Sequence, residues 1–212
     1  MKNSLITILL IAVVGMMFGA VTPASAEEMT VAVSVLSSSE EEGLIFMREE
    51  EKLAHDVYVT LYALWGLPLF QNIANSEATH TAAIQTLLDR YGIADPTVGN
   101  GVGEFTNPDL QKLYDQLVVQ GSLSLVDALK VGTIIEETDI HDLQTRLTQT
   151  SSADIQLVYN NLLRGSGNHL RAFTSTLQRQ TGENYVPQNQ GTGWSEFAPG
   201  RNNQRNGYRG GR

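Results

Sequence analysis

Glu77 and His80 have the clearest capacity for chemistry in this sequence, because both interrupt an apolar helical pattern. Apolar side chains recur at helical spacing across residues 69–91. At about 100° per residue, Glu77 and His80 point to the centre of that apolar stripe. Burying an unpaired charge is costly, so buried carboxylates and imidazoles are usually paired or bound to a metal. The pair therefore predicts a metal site if other segments supply further ligands.

Three other predicted helices place similar groups in their apolar stripes. Glu51 lies on the inward side of a helix predicted over 40–65, which Glu50 also flanks, whereas Glu49 points away. Carboxylates with two neutral imidazoles suit iron first, with manganese or zinc as alternatives. Without an ion, four acids in one core would repel each other and raise their own pKa values. The predicted ligands of one or two metal ions are Glu51, Glu77, His80, Glu136, Asp139 and His169.

Each of these groups also has a structural interpretation on its own. His169 is compatible with a hydrogen-bonded core histidine, Glu51 with a solvated acidic face, and Glu136 with Asp139 with a salt-bridged flank. Tyr58 is either a core aromatic residue or a hydrogen-bond donor or redox partner beside Glu51. The shared direction of the groups on all four helices favours the metal site. Residues at the margins of the stripes are read as surface or supporting groups: Glu50, His55, Glu137 and His141.

The elements that must position these groups are four long helices and one short one. A two-residue turn at 66–67 joins the first two helices, so they are expected to be antiparallel neighbours. The connection 93–107 is long, rich in Gly and Pro, and leads to a short helix predicted over 109–120. The remaining helices are predicted from about 124 to 148 and from about 151. Gly165 and Gly167 in the last helix indicate a close contact or a local irregularity beside His169.

The fold class predicted from these elements is all-α. The expected architecture is an antiparallel four-helix bundle with a long crossover between its second and third helices, and the short extra helix lies in that crossover. The expected domain organisation is a signal peptide over 1–26, a linker and helix start over 27–42, the helical domain over 43–182, and a disordered tail over 183–212.

The chain start has the features of an export signal. Lys2 precedes an apolar run over 5–21, and a small-x-small pattern ends at Ala26. A retained membrane anchor is the alternative, but the run is short for a spanning helix. We therefore expect a mature protein that is secreted, periplasmic or attached to the cell surface after cleavage near Ala26.

Composition excludes several function classes. The 212 residues include no cysteine, which excludes disulfides, cysteine-held iron–sulfur clusters and thiolate zinc sites. The net charge of −9 gives no indication of nucleic-acid binding. The tail is rich in Gly, Asn, Gln and Arg, so it is expected to be either a flexible end or a contact with an acidic surface or polymer. The sequence also allows a homodimer.

Longer sequence runs carry a resemblance to known families. Glu51-x-x-Ala54-x-x-x-Tyr58 resembles the first helix of ferritins and rubrerythrins, and Glu77-x-x-His80 resembles their second helix. Glu136-x-x-Asp139 is similar to the Glu-x-x-Glu of the third helix of rubrerythrins, with Asp as the second acid. The runs 49–54, 135–140 and 165–173 resemble a bacterial and archaeal family of ferritin-like domains of unknown function, over about 43–182.

The resemblance implies a ferritin-like bundle with a di-iron or di-manganese site that oxidises ferrous iron or reduces oxygen or peroxide. His169 resembles the end of the fourth-helix Glu-x-x-His of that superfamily, and Ser166 stands where its Glu is expected. One carboxylate is therefore missing, which implies one tightly and one weakly held metal. The alternatives are metal storage without turnover and an exported non-catalytic scaffold that acts through its Arg-rich tail.

Overall fold

The computed structural model describes residues 35–186, and their regular secondary structure is entirely helical. These residues form five helices and no strand: α1 Ser38–Trp65, α2 Pro68–Tyr91, α3 Pro108–Gly121, α4 Leu125–Gln149 and α5 Ala153–Thr181. The all-α prediction is confirmed, and so is the short helix in the crossover. None of these helices combines the length and apolarity needed to cross a membrane. The predicted signal peptide, the linker up to residue 34 and the tail from residue 187 lie outside the described residues.

The four long helices pack as a closed bundle. α1 contacts α2 and α4, and α5 contacts the same two helices. The loops between α1 and α2 and between α4 and α5 are only two and three residues long, so each pair packs as antiparallel neighbours. α3 lies outside this ring and packs on α1 and α4.

The start of α1 is fixed by a capping box. The Oγ of Ser37 accepts a hydrogen bond from the backbone N–H of Glu40, and the Glu40 carboxylate accepts one from the backbone N–H of Ser37. The second oxygen of Glu40 accepts hydrogen bonds from the hydroxyls of Thr150 and Ser152, at 2.6 and 2.9 Å. Glu40 therefore ties the start of α1 to the turn between α4 and α5.

Two apolar clusters lie on either side of the polar centre of the bundle. One includes the touching rings of Tyr58, Phe70 and Phe173. The other includes Met47 and Tyr159. On each long helix, the predicted ligands fall in the sequence between the residues of these two clusters. The carboxylates and imidazoles are therefore held between two apolar layers.

The crossover 93–107 covers the outer face of α1. Glu49, which the sequence pattern directs away from the apolar stripe, is only 2% exposed. Its Oε1 accepts hydrogen bonds from the backbone N–H groups of Thr106 and Asn107, at 2.6 and 3.1 Å. Arg48 forms a salt bridge of 2.9 Å with Asp95 in the same connection. The charged outer face of α1 therefore fixes the crossover and the start of α3.

Candidate metal centre

Two overlapping groups of ligand atoms lie in the middle of the bundle. Glu51, Glu77 and His80 each offer an atom within 4.8 Å of the others, and so do Glu77, Glu136 and His169. Within the described residues, these are the only groups of three or more His, Asp or Glu with this spacing. Glu77 belongs to both groups, so four helices meet at one carboxylate.

The two oxygens of Glu77 face different imidazoles. Nδ1 of His80 lies 2.7 Å from Oε2 of Glu77 and 3.2 Å from Oε2 of Glu51. Nδ1 of His169 lies 2.7 Å from Oε1 of Glu77 and 3.5 Å from Oε2 of Glu136. The two rings are stacked with their centroids 5.5 Å apart. This geometry suits a carboxylate that bridges two ions, each with its own imidazole.

Several buried atoms of the cluster have unmet bonding capacity. Oε1 of Glu51, Oε1 of Glu77 and Nδ1 of His169 form no hydrogen bond. The last two atoms lie 2.7 Å apart as an ion pair. Buried polar atoms in native proteins nearly always have a partner. The residues therefore fit a hard divalent cation, which would satisfy carboxylate oxygen and imidazole nitrogen together.

The charges of the cluster are balanced by the histidines. Burial would raise the pKa of Glu77, but the contacts with His169 and His80 outweigh it and lower that pKa to about 2. Burial would lower the pKa of His80, but Glu51 and Glu77 raise it to about 11. The pKa of His169 is likewise raised to about 10, against the effect of burial, by Glu136 and Glu77. Two imidazolium groups therefore occupy the place where a metal ion would carry the positive charge.

Asp139 lies beside the two groups but belongs to neither. Its Oδ2 contacts the Oγ of Ser166, and its buried Oδ1 has no hydrogen bond. Burial raises the pKa of Asp139 to about 8, although Ser166 acts in the opposite direction. Five of the six predicted ligands are thus brought together as two triads, and the role of Asp139 as the sixth stays a prediction. Ser166, which replaces the expected carboxylate, positions Asp139.

Tyr58 supports one of the ligands directly. Its hydroxyl donates a hydrogen bond of 2.6 Å to Oε1 of Glu136. Burial, together with Glu136, raises the pKa of Tyr58 well above its ordinary value, so the phenol is a neutral donor. The ring of Tyr58 thus packs in the core, and its hydroxyl is a donor as predicted, but to Glu136 rather than to Glu51. Its role as a redox partner stays a prediction.

Gly165 and Ser76 hold the two histidine rings in place, and the sequence did not predict these two contacts. A Cβ on Gly165 would lie 2.5 Å from Nε2 of His80, so only glycine leaves room for this ring. The hydroxyl of Ser76 lies 3.0 Å from Nε2 of His169 and orients that ring through its second nitrogen. The glycine indicated a close contact in the sequence, but the contact involves His80 rather than His169.

The four residues at the margins of the apolar stripes differ in burial: the two histidines lie away from the cluster, and the two glutamates are buried. His141 is exposed, and His55 contacts Asp56 at 2.8 Å, away from the cluster. Glu137 and Glu50 are only 3% and 7% exposed, so their interpretation as surface groups is wrong. Helix packing buries them, which the spacing within one helix cannot indicate. Glu50 also keeps a buried oxygen without a hydrogen bond.

The fold and the cluster define an all-helical protein with a buried carboxylate–histidine centre that could hold a metal. Residues 40–196 match the family described as an uncharacterised protein domain, DUF2202, and the chain belongs to this family. The chain is 52% identical over 153 residues to the uncharacterised protein MJ0754 of Methanocaldococcus jannaschii, which covers 72% of this chain and 82% of the relative.

The fold is also similar to a solved structure. The crystal structure of hypothetical protein MJ0754 from Methanococcus jannaschii matches with a TM-score of 0.74 and 49% identity. The match covers 77% of this chain and 92% of that chain. The expected resemblance to a domain family of unknown function is confirmed, and the comparisons assign that family no activity.

Proposed function

We propose that the protein is an exported, ferritin-like metal-binding protein whose bundle interior holds two iron or manganese ions. The observation that carries the proposal is the shared position of Glu77, whose two oxygens face His80 and His169 at 2.7 Å each. A carboxylate with one oxygen directed to each of two imidazole-containing triads is the arrangement expected of a bridging ligand. Zinc is the alternative for a similar set of donors.

The charges of the proposed ligands match two divalent ions. Glu51 and His80 would complete one coordination sphere, and Glu136 and His169 the other, with Glu77 common to both. Asp139 is the proposed sixth ligand, because its Oδ1 is buried without a hydrogen bond. Burial, and secondarily the neighbouring acids, raises the pKa values of Glu51 and Asp139. Four ionised carboxylates would neutralise the four positive charges of two divalent ions, so metal binding would favour the ionised form of both groups.

The reaction class that we propose is oxidation of ferrous iron coupled to reduction of peroxide or oxygen. Two bound ferrous ions would supply two electrons, which together with two protons break the O–O bond of hydrogen peroxide and yield two waters. Reduction of oxygen to peroxide uses the same number of electrons and protons. In the metal-free protein Asp139 holds a proton, because burial raises its pKa to about 8, and it would release that proton on binding a metal. Tyr58 fixes the orientation of Glu136.

Export is the part of the proposal that rests on the sequence alone. The apolar run over 5–21 and the small residues up to Ala26 support cleavage before residue 27. The metal would then be bound outside the cytoplasmic membrane. Sequencing the amino terminus of the protein recovered from its natural host tests this directly, and a chain that still begins at Met1 would contradict export by cleavage.

A metal inventory tests the metal proposal. The chain from residue 27 onward is purified, loaded with ferrous iron or Mn²⁺, and analysed for bound metal by mass spectrometry. We expect two ions per wild-type chain, loss of one in His80→Ala, and loss of both in Glu77→Gln. His141→Ala is the matched control, since this histidine is exposed and outside the cluster. A wild-type chain that stays free of both metals would refute the proposal.

Turnover is tested separately from binding. Rapid consumption of added hydrogen peroxide by the ferrous protein, with two iron ions oxidised per peroxide, would support the redox reaction. Retention of two ferrous ions without consumption of peroxide or oxygen would leave metal storage as the function. Mn²⁺-loaded protein provides the comparison with the same site and a different metal.

A further inference from the structure

A small cavity lies directly beside the proposed ligands. Its volume is about 30 Å³, enough for about two water-sized molecules. Five acidic residues contribute to its lining: Glu50, Glu51, Glu77, Glu136 and Asp139. The other lining residues are Thr138 and six apolar residues, Leu53, Ala54, Leu113, Leu117, Ile134 and Ile135. The cavity is thus in contact with both the acidic cluster and apolar side chains.

α3 supplies part of this apolar wall. Leu113 and Leu117 lie one helical turn apart on α3 and both line the cavity. α3 is not one of the four bundle helices, and it packs over α1 and α4 on this side. Its position is fixed by Asn107, which caps the helix and also donates its backbone N–H to Glu49. The two leucines therefore cover the carboxylates from the side of the crossover.

The polar edge of the centre lies elsewhere. The side chains of His80 and His169 are 11% and 10% exposed, whereas those of Glu51 and Glu77 are 1% and 2% exposed. Moving an unpaired ion through an apolar layer costs far more free energy than moving a small neutral molecule, even one that carries hydroxyl groups. Ions are therefore expected to enter at the histidines, and neutral molecules at α3.

We propose that Leu113 and Leu117 are specificity-determining residues. They form a filter that lets neutral molecules of the size of dioxygen or hydrogen peroxide reach the carboxylates, and that keeps out ions and larger organic molecules. The physical basis is the small volume of the cavity and the fact that α3 contributes only these two leucines to its lining. The chemistry in this inference rests on the proposed metal function. The entry of small molecules into the cavity, however, can be measured in the metal-free protein.

Access is tested first without metal. Methyl-labelled, metal-free protein is placed under oxygen pressure, and the paramagnetic relaxation of the methyl groups is measured by NMR. We expect the effect at Leu117 to exceed that at Leu110 several-fold, since both are buried α3 leucines and only Leu117 lines the cavity. Leu117→Phe should fill the cavity and reduce the oxygen-induced relaxation of the Leu113 methyl groups. Equal effects at Leu110 and Leu117 would overturn the proposed route.

Size selection is tested in the iron-loaded protein with two peroxides. Each takes two electrons from two ferrous ions and two protons, so hydrogen peroxide gives two waters and tert-butyl hydroperoxide gives tert-butanol and water. Leu117→Ala should raise the rate with the bulky peroxide relative to hydrogen peroxide by about tenfold. Leu110→Ala is the matched control and should leave this ratio unchanged. The rate of metal loading should be the same in all three proteins.

The outcomes separate this inference from the metal proposal. An unchanged peroxide ratio in Leu117→Ala, or a changed rate of metal loading, would overturn the filter even if two metals bind. Failure to bind metal would refute the proposed function, whereas the oxygen measurement on metal-free protein would still decide whether α3 controls access. If Leu117→Phe fails to fold, Leu117→Ala under oxygen pressure decides the question, because enlargement should increase the effect at Leu113.

Discussion

Gly165→Ala is expected to weaken metal binding while leaving the fold intact. The new Cβ would lie 2.5 Å from Nε2 and 2.6 Å from Cε1 of His80, and an ordinary contact begins at 3.4 Å. The imidazole must therefore retreat by about 0.9 Å, or rotate away from Glu51 and Glu77. In a helix interior, alanine is favoured over glycine by about 1 kcal/mol. The substitution thus supports the helix and displaces the proposed ligand.

The expected magnitude follows from the role of His80. Gly165 is not a ligand but leaves the space in which the proposed ligand His80 is held, and mutating residues that orient a ligand typically costs about 10- to 100-fold in metal affinity. At a fixed metal concentration, this corresponds to about 1.4–2.7 kcal/mol less stabilisation on metal addition. The metal-free variant should unfold within about 1 kcal/mol of the wild type, because His80 can rotate to relieve the contact.

The assay is calorimetric titration with Mn²⁺, combined with denaturant unfolding with and without the metal. Gly43→Ala is the matched control, since a Cβ on this α1 glycine would meet Arg146 and Tyr159 at 3.3 and 3.4 Å, away from the cluster. It should change stability by a similar amount and leave affinity unchanged. Wild-type affinity in a folded Gly165→Ala protein would refute the assignment of His80 as a ligand.

Further predictions concern protons, the helix cap, Tyr58 and the tail. At pH 7, His80, His169 and Asp139 are protonated, with pKa values of about 11, 10 and 8, so metal loading should release protons and affinity should rise with pH. A pH-stat titration without proton release would contradict this. Hydrogen bonds from Thr150 and Ser37 lower the pKa of Glu40 to about 2, from 4.5. Its stabilisation is therefore present above pH 4.5 and lost toward pH 2, so thermal melts of Glu40→Gln should converge with those of the wild type near pH 2, with Glu41→Gln as control. Tyr58→Phe should cost about 1–3 kcal/mol of metal-free unfolding free energy by denaturant titration, and a cost near zero would argue against the bond to Glu136. Truncation after Pro187 should leave metal content unchanged, and loss of binding to an acidic polymer by the truncated chain would support a contact role for the tail.

The inward direction of the ligands is readable from the sequence because it is local. A helix repeats every 3.6 residues, so the position of Glu77 and His80 within one apolar stripe fixes their direction without any tertiary contact. The same reasoning holds for Glu51, Glu136 and His169, all of which are buried in the structure. The capping residues and the Gly66 turn are local signals too, so the helices could be placed within a few residues.

The grouping of the ligands depends on distances between helices. No spacing within a helix indicates that Glu77 is shared, or that Asp139 contacts Ser166 instead of joining a triad. These outcomes are decided by how closely α2 and α4 approach α5, which depends on side-chain packing along their whole length.

The sequence by itself determined an all-α chain with acids and imidazoles directed into its interior, because amphipathic spacing and helix caps act over a few residues. Only the tertiary structure decided that the crossover buries Glu49, that Gly165 makes room for His80, and that α3 covers a cavity beside the carboxylates. Each of these contacts joins residues far apart in the chain. Such contacts arise from the packing of complete helices and loops against one another, which no local pattern encodes.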